Sequence, residues 1–240
     1  MALRPWSPVP IHDCAEPLVE LPAGLLRLEP HPYAGLGAPY GAGASPFRLR
    51  AAVVERLLEA QLALQAAAPG WRLAIFDAWR PLAVQRFMVE HTIGEECARL
   101  GVDREQPSAL LDAVVAEVGR FWAPPSEDPA TPPPHSTGAA VDLTLADGSG
   151  MVASMGSAID AIGAVSAPDH YLEVADSVQE ISVKQQAQEW HRRRCLLRHA
   201  MGEAGFAQHP NEWWHFSWGD QLWAWRQDQP QACYGRWLES

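Results

Sequence analysis

An acidic residue inside an apolar stretch constrains the fold more than any other feature of this sequence. Residues 138–145 read Gly-Ala-Ala-Val-Asp-Leu-Thr-Leu, which predicts a β-strand ended by a turn at residues 147–148. Asp142 lies between Val141 and Leu143 in that strand. Because a carboxylate is costly there unless it is paired or bound to a metal, the fold must bring Asp142 to a partner.

His135, at the end of the proline-rich loop 123–137, is one candidate partner. A fully extended chain would separate His135 from Asp142 by roughly 23 Å, whereas zinc ligands lie ~2 Å from the metal. Both can bind one metal only if the chain folds back between them, and Gly138 allows such a bend. The spacing leaves open an alternative in which both residues make ordinary hydrogen bonds.

A second candidate pair, Glu212 and His215, lies among bulky aromatic residues in Asn-Glu-Trp-Trp-His-Phe-Ser-Trp. Residues three apart in a strand point to opposite faces, so the chain must turn near Glu212 if both side chains are to reach one site. Pro210-Asn211 permits that turn. The alternative is a tryptophan-rich core strand with one hydrogen-bonded histidine.

Arg80 follows a predicted strand over residues 71–76, in the segment Asp-Ala-Trp-Arg-Pro. Its guanidinium could pair with Asp77 in a structural role, or it could bind an anion at the strand end. Spacing does not decide between these two roles.

The remaining charged candidates are weaker. The run His-Arg-Arg-Arg at residues 191–194 is interpreted as a solvated helix face. The other histidines have no ligand-like neighbours and are treated as background: His12, His31, His91, His170, His199 and His209. No Gly-x-Ser-x-Gly motif supports a serine hydrolase.

Periodicity predicts helices over residues 50–68, 81–91, 107–121 and 178–204, and two late strand-like pieces, the second over 213–218. With the strands 71–76 and 138–145, this order favours an α+β fold: a small antiparallel sheet flanked by helices. The 240 residues are interpreted as a single domain, 1–240, in which 1–48 form an irregular amino-terminal segment of loops and short strands.

Charge and cysteine usage exclude several classes of protein. A net charge of -11 disfavours a nucleic-acid partner. The four cysteines are far apart and form no Cys-x-x-Cys pair, so a thiolate zinc site is not expected. No run approaches the ~18 apolar residues of a membrane span, and the first residues lack the apolar core of a signal peptide. We expect a cytoplasmic protein without a membrane partner.

Taken together, the motifs resemble the D-alanyl-D-alanine dipeptidases of the vancomycin-resistance type, a group of zinc D-Ala-D-Ala metallopeptidases. The family pattern His-x-x-Gly-x-Ala-x-Asp matches residues 135–142, and Met-Gly-Ser/Thr-x-x-Asp matches residues 155–160. Glu-x-Trp-His matches residues 212–215, and the arginine motif of the family matches residues 77–81. The matches keep the family's order from about residue 70 to residue 218.

The resemblance implies one zinc ion per chain, held by His135, Asp142 and His215, with a fourth position left for water. It implies that Glu212 is the general base for that water. The expected activity is hydrolysis of D-Ala-D-Ala or similar D,D-dipeptides in cell-wall dipeptide turnover.

Two further roles follow from the same resemblance. Arg80 would stabilise the oxyanion, and Asp160 would anchor the free α-ammonium of the substrate, which limits the substrate to a dipeptide. The sequence departs from the family at Pro133-Pro134, where serines are usual, at Ile159, where an aromatic is usual, and at Ala167, where a histidine is usual. These changes concern the substrate pocket rather than the metal chemistry.

Two alternatives to the dipeptidase keep the same zinc site. One is a D,D- or L,D-carboxypeptidase acting on longer peptidoglycan peptides, which would not need an ammonium anchor at Asp160. The other is a zinc-stabilised binding module without catalysis. The presence of Glu212 and Arg80 argues against the latter, since neither is needed to hold zinc.

Overall fold

A sheet built from short strands and one long central strand organises the structure, a computed structural model that describes residues 4–41 and 44–238. The strands of the described chain are β1 (Leu18–Glu20), β2 (Leu26–Arg27), β3 (Arg48–Arg50), β4 (Arg72–Asp77), β5 (Ala140–Ala146), β6 (Ala207–Gln208) and β7 (His215–Ser217). Its helices are α1 (Pro32–Gly35), α2 (Ala51–Ala67), α3 (Leu82–Leu100), α4 (Ala109–Phe121), α5 (His170–Ser177), α6 (Ile181–Glu203) and α7 (Gln221–Arg226).

Five of these strands form the main sheet, in the order β2-β4-β5-β7-β6. The β4–β5, β5–β7 and β6–β7 pairs are antiparallel, whereas the edge strand β2 is parallel to β4. A register shift between Ile75 and Asp77 places Asp77 opposite Asp142. The predicted α+β fold with a small sheet flanked by helices is confirmed, with one parallel pair at its edge.

Two apolar clusters lie against β4. Ile75 belongs to a large cluster that includes residues of α2, β5 and α6, such as Leu57 and Leu197. The next residue, Phe76, packs against a second cluster formed mainly by α3 and α4. Successive side chains of a strand point to opposite faces, so β4 lies between the two clusters. All seven residues of β5 are buried, which explains why its sequence is apolar apart from Asp142 and Thr144.

Most predicted elements are present with shifted ends. Helix α3 continues to Leu100, past the expected end near residue 91, and stops at Gly101 in the left-handed conformation. Helix α6 is preceded by a separate helix, α5, and α7 occupies the tryptophan-rich end; neither was predicted. The described part of 1–48 contains two short strands, α1 and the first residue of β3, and residues 1–3, 42 and 43 lie outside it. None of the described helices is long and apolar enough to cross a membrane.

Candidate metal centre

A tight turn before β5 reverses the chain between His135 and Asp142. Pro134–Thr137 form a 3₁₀ turn that ends at Gly138, which has the left-handed φ of 72°. The hydroxyl of Ser136 donates to the carbonyl of Pro133, which ties the turn to the loop before it. As a result, Nε2 of His135 lies 3.1 Å from Oδ2 of Asp142. This is the fold-back that the spacing of the two residues required.

His215 reaches the same point from the neighbouring strand. Asp142 and His215 are register partners across β5 and β7, so their side chains share one face of the sheet. Nδ1 of His215 lies 3.1 Å from Oδ1 of Asp142 and 3.2 Å from Nε2 of His135. All three side chains are buried, and each offers one ligand atom within 4.8 Å of the others.

The chemistry of this cluster fits a zinc ion. Two imidazole nitrogens and one carboxylate oxygen are a usual set of ligands for catalytic zinc. Nδ1 of His215 lies close to the buried Oδ1 of Asp142, but the contact is not aligned as a hydrogen bond. This oxygen therefore accepts no hydrogen bond within the described chain, which is uncommon for a charged atom in a protein interior. Burial alone would raise the pKa of Asp142, but His135 and His215 outweigh burial and hold that pKa far below its ordinary value.

Outer hydrogen bonds orient both histidines. Nδ1 of His135 donates to the carbonyl of Ala78 at 2.7 Å, which leaves the lone pair of Nε2 facing Asp142. Nε2 of His215 lies 3.4 Å from Oγ of Ser217, and that hydroxyl donates to Asp220 at 2.8 Å. Such contacts fix the tautomer and the ring orientation of a metal-binding histidine.

Glu212 lies in the turn just before β7, as the spacing to His215 required. Its Oε2 is 3.6 Å from Nδ1 of His215, and its buried Oε1 has no hydrogen-bond partner among the described residues. Burial, with smaller contributions from Asp142 and Asp160, raises the pKa of Glu212 well above its ordinary value. Glu212 therefore binds a proton more tightly than an exposed glutamate does.

Arg80 forms the structural pair with Asp77 that the sequence left open, and it also faces the candidate metal centre. Its Nε and Nη2 donate to Oδ2 of Asp77 at 3.0 and 2.7 Å, so it does form the structural pair. The same Nη2 lies 3.4 Å from Oδ2 of Asp142, at the edge of the candidate metal centre. The guanidinium lies 4.9 Å from the ring centres of both Tyr33 and Trp122.

Asp160 lies on the loop after Met155 and has a left-handed φ of 64°. Its Oδ2 accepts a hydrogen bond of 2.7 Å from the hydroxyl of Tyr33. Burial, followed by the charge of Asp142, raises the pKa of Asp160 to about 7. The carboxylate lines the same cavity as Glu212 and Arg80.

The structure corrects the prediction of a solvated face at residues 191–194. Arg192 and Arg193 pair with Glu189 near the surface, but Arg194 is buried. Arg194 donates to four acceptors on the loop that carries Asp160: the carbonyls of Met155, Val165 and Ala167 and Oγ of Ser157. Helical spacing could have revealed this, because residue 194 falls on the buried side of α6 with residues 187, 197 and 201.

Several residues around the centre had no recognisable signal in the sequence. His31 and Tyr40 both contact Oδ1 of Asp77 at 3.1 Å, although His31 was treated as background. His209, also treated as background, lies 3.5 Å from Oε1 of Glu212, and burial lowers its pKa well below the ordinary value. These contacts join distant parts of the chain or depend on a tertiary turn, and spacing alone cannot show them.

One cavity, of about 40 Å³, is lined by the candidate functional groups. The candidate ligands, Glu212, Arg80 and Asp160 all line it, and its apolar wall includes Trp6, Phe121, Trp122, Pro134 and Trp214. The structure therefore brings all six residues singled out from the sequence to a single cavity.

Comparison with known proteins gives matches over most of the chain. A family model described as D-Ala-D-Ala dipeptidase matches residues 27–234. A D-alanyl-D-alanine dipeptidase from Synechocystis sp. is 44% identical over 242 residues, covering 98% of this chain and 97% of the relative. A crystal structure of the vancomycin-resistance D,D-pentapeptidase VanY in complex with Zn(II) aligns with 89% of this chain and 86% of that protein, at 14% identity and a TM-score of 0.44. The family match and the identity to a full-length relative show that this chain belongs to the D-Ala-D-Ala dipeptidase family of peptidases.

Proposed function

We propose that this protein is a zinc metallopeptidase that hydrolyses D-Ala-D-Ala or similar D,D-dipeptides. The observation that carries the proposal is the single cavity lined by a three-residue donor set, a carboxyl with a raised pKa, an arginine and a second carboxylate. Its relative from Synechocystis carries the name of this activity.

His135, Asp142 and His215 would hold the metal in this proposal. Bound zinc would act as a Lewis acid and would lower the pKa of a bound water to about 7. Oδ1 of Asp142 supports this assignment, because it accepts no hydrogen bond within the described chain and a cation would satisfy it.

Glu212 acts as the general base. Its carboxylate takes a proton from the attacking water and passes it to the leaving amine. The raised pKa of Glu212 suits this task, since the group must hold a proton between the two steps. The neutral neighbour His209 adds no competing positive charge beside it.

Arg80 stabilises the negative charge that develops on the carbonyl oxygen of the substrate. Asp77 holds the guanidinium through two N–H groups, and Gln85 accepts a third hydrogen bond at 2.9 Å. A donor that is fixed in advance needs little reorganisation when charge develops.

Asp160 binds the free α-ammonium of the substrate and so selects dipeptides over longer peptides. The hydrogen bond from Tyr33 orients the carboxylate, and its position in the cavity of Glu212 supports the role. A carboxypeptidase acting on longer stems would not need this anchor. Comparing hydrolysis of D-Ala-D-Ala with that of its N-acetyl derivative separates the two activities, and we expect the acetylated peptide to be the poorer substrate.

The decisive experiment measures zinc content and D-Ala-D-Ala hydrolysis for the wild type, Glu212→Gln and, as a control, Glu173→Gln on the exposed face of α5. We expect one zinc per chain in all three proteins, and a rate for Glu212→Gln lower by about 10²- to 10⁴-fold. A wild type without zinc, or a Glu212→Gln protein with the full rate, would refute the mechanism. Zinc binding without hydrolysis in the wild type would favour the non-catalytic module.

We propose that the enzyme acts in the cytoplasm, in the turnover of cell-wall dipeptides, and that it has neither nucleic acid nor membrane as a partner. The net charge of -11 supports the absence of a nucleic-acid partner. Cell fractionation with an antibody against the protein tests the location.

A further inference from the structure

The amino-terminal strap, residues 4–9, runs along one side of the cavity. Arg4 ties its beginning to the end of α4 by donating to the carbonyls of Gly119, Arg120 and Trp122 at 2.7, 3.0 and 3.2 Å. Gln221 of α7 holds the end of the strap by donating hydrogen bonds to the carbonyls of residues 7 and 9 at 3.2 and 2.6 Å. The strap is thus fastened at two points, and both Arg4 and Trp6 line the cavity.

Arg4 brings a positive charge without a negative partner to this wall. No carboxylate of the described chain lies within ion-pair distance of it, and its three acceptors are neutral carbonyls. These bonds use three of the five N–H groups of a guanidinium. Burial lowers the pKa of Arg4, and the charge of Glu212 acts in the opposite direction.

Arg4 differs in this respect from the other arginine of the cavity. Arg80 already forms a close ion pair with Asp77. Histidines aside, Arg4 and Arg80 are the cations among the described residues that line the cavity. Pro134, on the same wall, has no N–H or hydroxyl to donate. An anionic group that enters this part of the cavity therefore finds its cationic partner in Arg4.

The cavity holds charges of both signs. Arg4, Glu212 and Asp160 all line it. Asp160 accepts a hydrogen bond from the hydroxyl of Tyr33, whereas Arg4 has no carboxylate of the described chain within ion-pair distance. A dipeptide carries an ammonium at one end, a carboxylate at the other and one peptide bond between them, so Asp160 and Arg4 offer one oppositely charged partner for each end.

We propose that Arg4 binds the terminal carboxylate of the dipeptide substrate and so contributes to specificity from the strap. The role rests on the proposed dipeptidase activity and extends it. Asp160 and Arg4 would together measure the length of the substrate, since each recognises one charged end.

The test compares hydrolysis of D-Ala-D-Ala and of D-Ala-D-alaninamide, which lacks the negative charge, by wild type, Arg4→Gln and Arg4→Lys. We expect the wild type to prefer the free acid. Arg4→Gln should lower kcat/KM for the acid on the order of 10- to 100-fold, mainly through KM, because hydrogen bonds to charged groups are worth that much. Its kcat/KM for the amide should stay within about 3-fold of the wild type. Arg4→Lys, which keeps the charge, should retain part of the preference.

Gln221→Leu is the matched control, because it loosens the strap and leaves the charge in place. We expect it to change the rates on the acid and on the amide by the same factor. Equal losses on both substrates in Arg4→Gln would reduce Arg4 to a fastener of the strap and overturn the proposal. So would a wild type that cleaves acid and amide equally well, a result that needs no variant to fold. A wild type that cleaves neither would instead refute the dipeptidase activity, and the role of Arg4 would fall with it.

Discussion

At the scale of single residues, Asp77 determines how Arg80 is presented. Asp77 is fully buried at the end of β4 and accepts from Arg80, His31 and Tyr40, with Nδ1 of His135 at 3.3 Å. Burial would raise the pKa of Asp77, but Arg80 and the hydrogen bond from His31 outweigh it and hold that pKa below its ordinary value. The carboxylate thus stays charged and keeps one Nη of Arg80 facing the metal centre.

The pKa of Asp160 is raised, whereas that of Asp77 is lowered, and the raised pKa leads to a prediction about stability. A carboxyl whose pKa is raised in the folded state holds its proton more tightly there than in the unfolded chain. The stabilisation of the folded state by protonated Asp160 is fully present below the pKa of the unfolded chain, near 4. It is lost as the pH rises to about 7. We therefore expect metal-free Asp160→Asn to be more stable than the metal-free wild type at pH 8, by about 1 kcal/mol or more.

Urea unfolding in the presence of a chelator, at pH 5 and pH 8, measures this difference. Asparagine also tolerates the left-handed φ of 64° at this position. Asp176→Asn, on the exposed face of α5, serves as the control, and its stability should differ from that of the wild type by the same amount at both pH values. A difference between wild type and Asp160→Asn that does not grow from pH 5 to pH 8 would contradict the expected titration.

At the scale of elements, the turn between His135 and β5 is a critical piece of structure. Gly138 has a left-handed φ, and a Cβ added there would overlap the side chain of Leu18 on β1. The turn therefore depends on glycine for two independent reasons. Helix α6 holds another part of the site in place, because Arg194 donates hydrogen bonds to carbonyl groups of the loop that carries Asp160.

We expect Gly138→Ala to destabilise the protein by about 1–3 kcal/mol and to weaken zinc binding, because backbone strain and overlap both displace His135. Gly70→Ala is the matched control: Gly70 also has a positive φ, 89°, but an added Cβ would meet no atom within 4 Å. Gly70→Ala should therefore lose only the stability that backbone strain costs, and its zinc affinity should stay unchanged.

Zinc titration and urea unfolding of both variants give the comparison. Equal zinc affinity in Gly138→Ala and wild type would contradict the role of the turn. Adding Leu18→Ala to Gly138→Ala should restore part of the loss.

At the scale of the whole molecule, the motifs identified residues that the structure brings together, whereas local patterns predicted the surrounding elements less well. Spacing required the fold-back at Gly138 and the turn at Glu212 only if these residues share one metal, and the family resemblance supplied that condition. The ends of α3 and the existence of α5 and α7 did not follow, because tertiary packing decides them. The environment of Asp77 and the strap at Arg4 could not be predicted either, since they join residues far apart in the chain.

Metal removal should affect the stability of the entire chain, because the candidate ligands come from two separate segments. A ligand that binds only the folded state adds about 2.7 kcal/mol at a 100-fold excess over its dissociation constant. For a chain of this size, this corresponds to a rise in Tm of about 5–11 °C.

We expect a chelator to lower the Tm of the wild type by such an amount and to leave the Tm of His215→Ala unchanged. His199→Ala, an exposed histidine on α6, should respond like the wild type. A chelator effect that persists in His215→Ala would place the metal elsewhere.

The pairing of Asp142 with His215 across β5 and β7 makes the metal centre a test of strand alignment. A slip of one residue between these strands would turn His215 to the opposite face of the sheet and leave the cluster incomplete. A compact but misaligned molecule would retain its secondary structure and lose its tight zinc site. The zinc content of a refolded preparation would then count the correctly assembled molecules, a quantity that circular dichroism alone does not report.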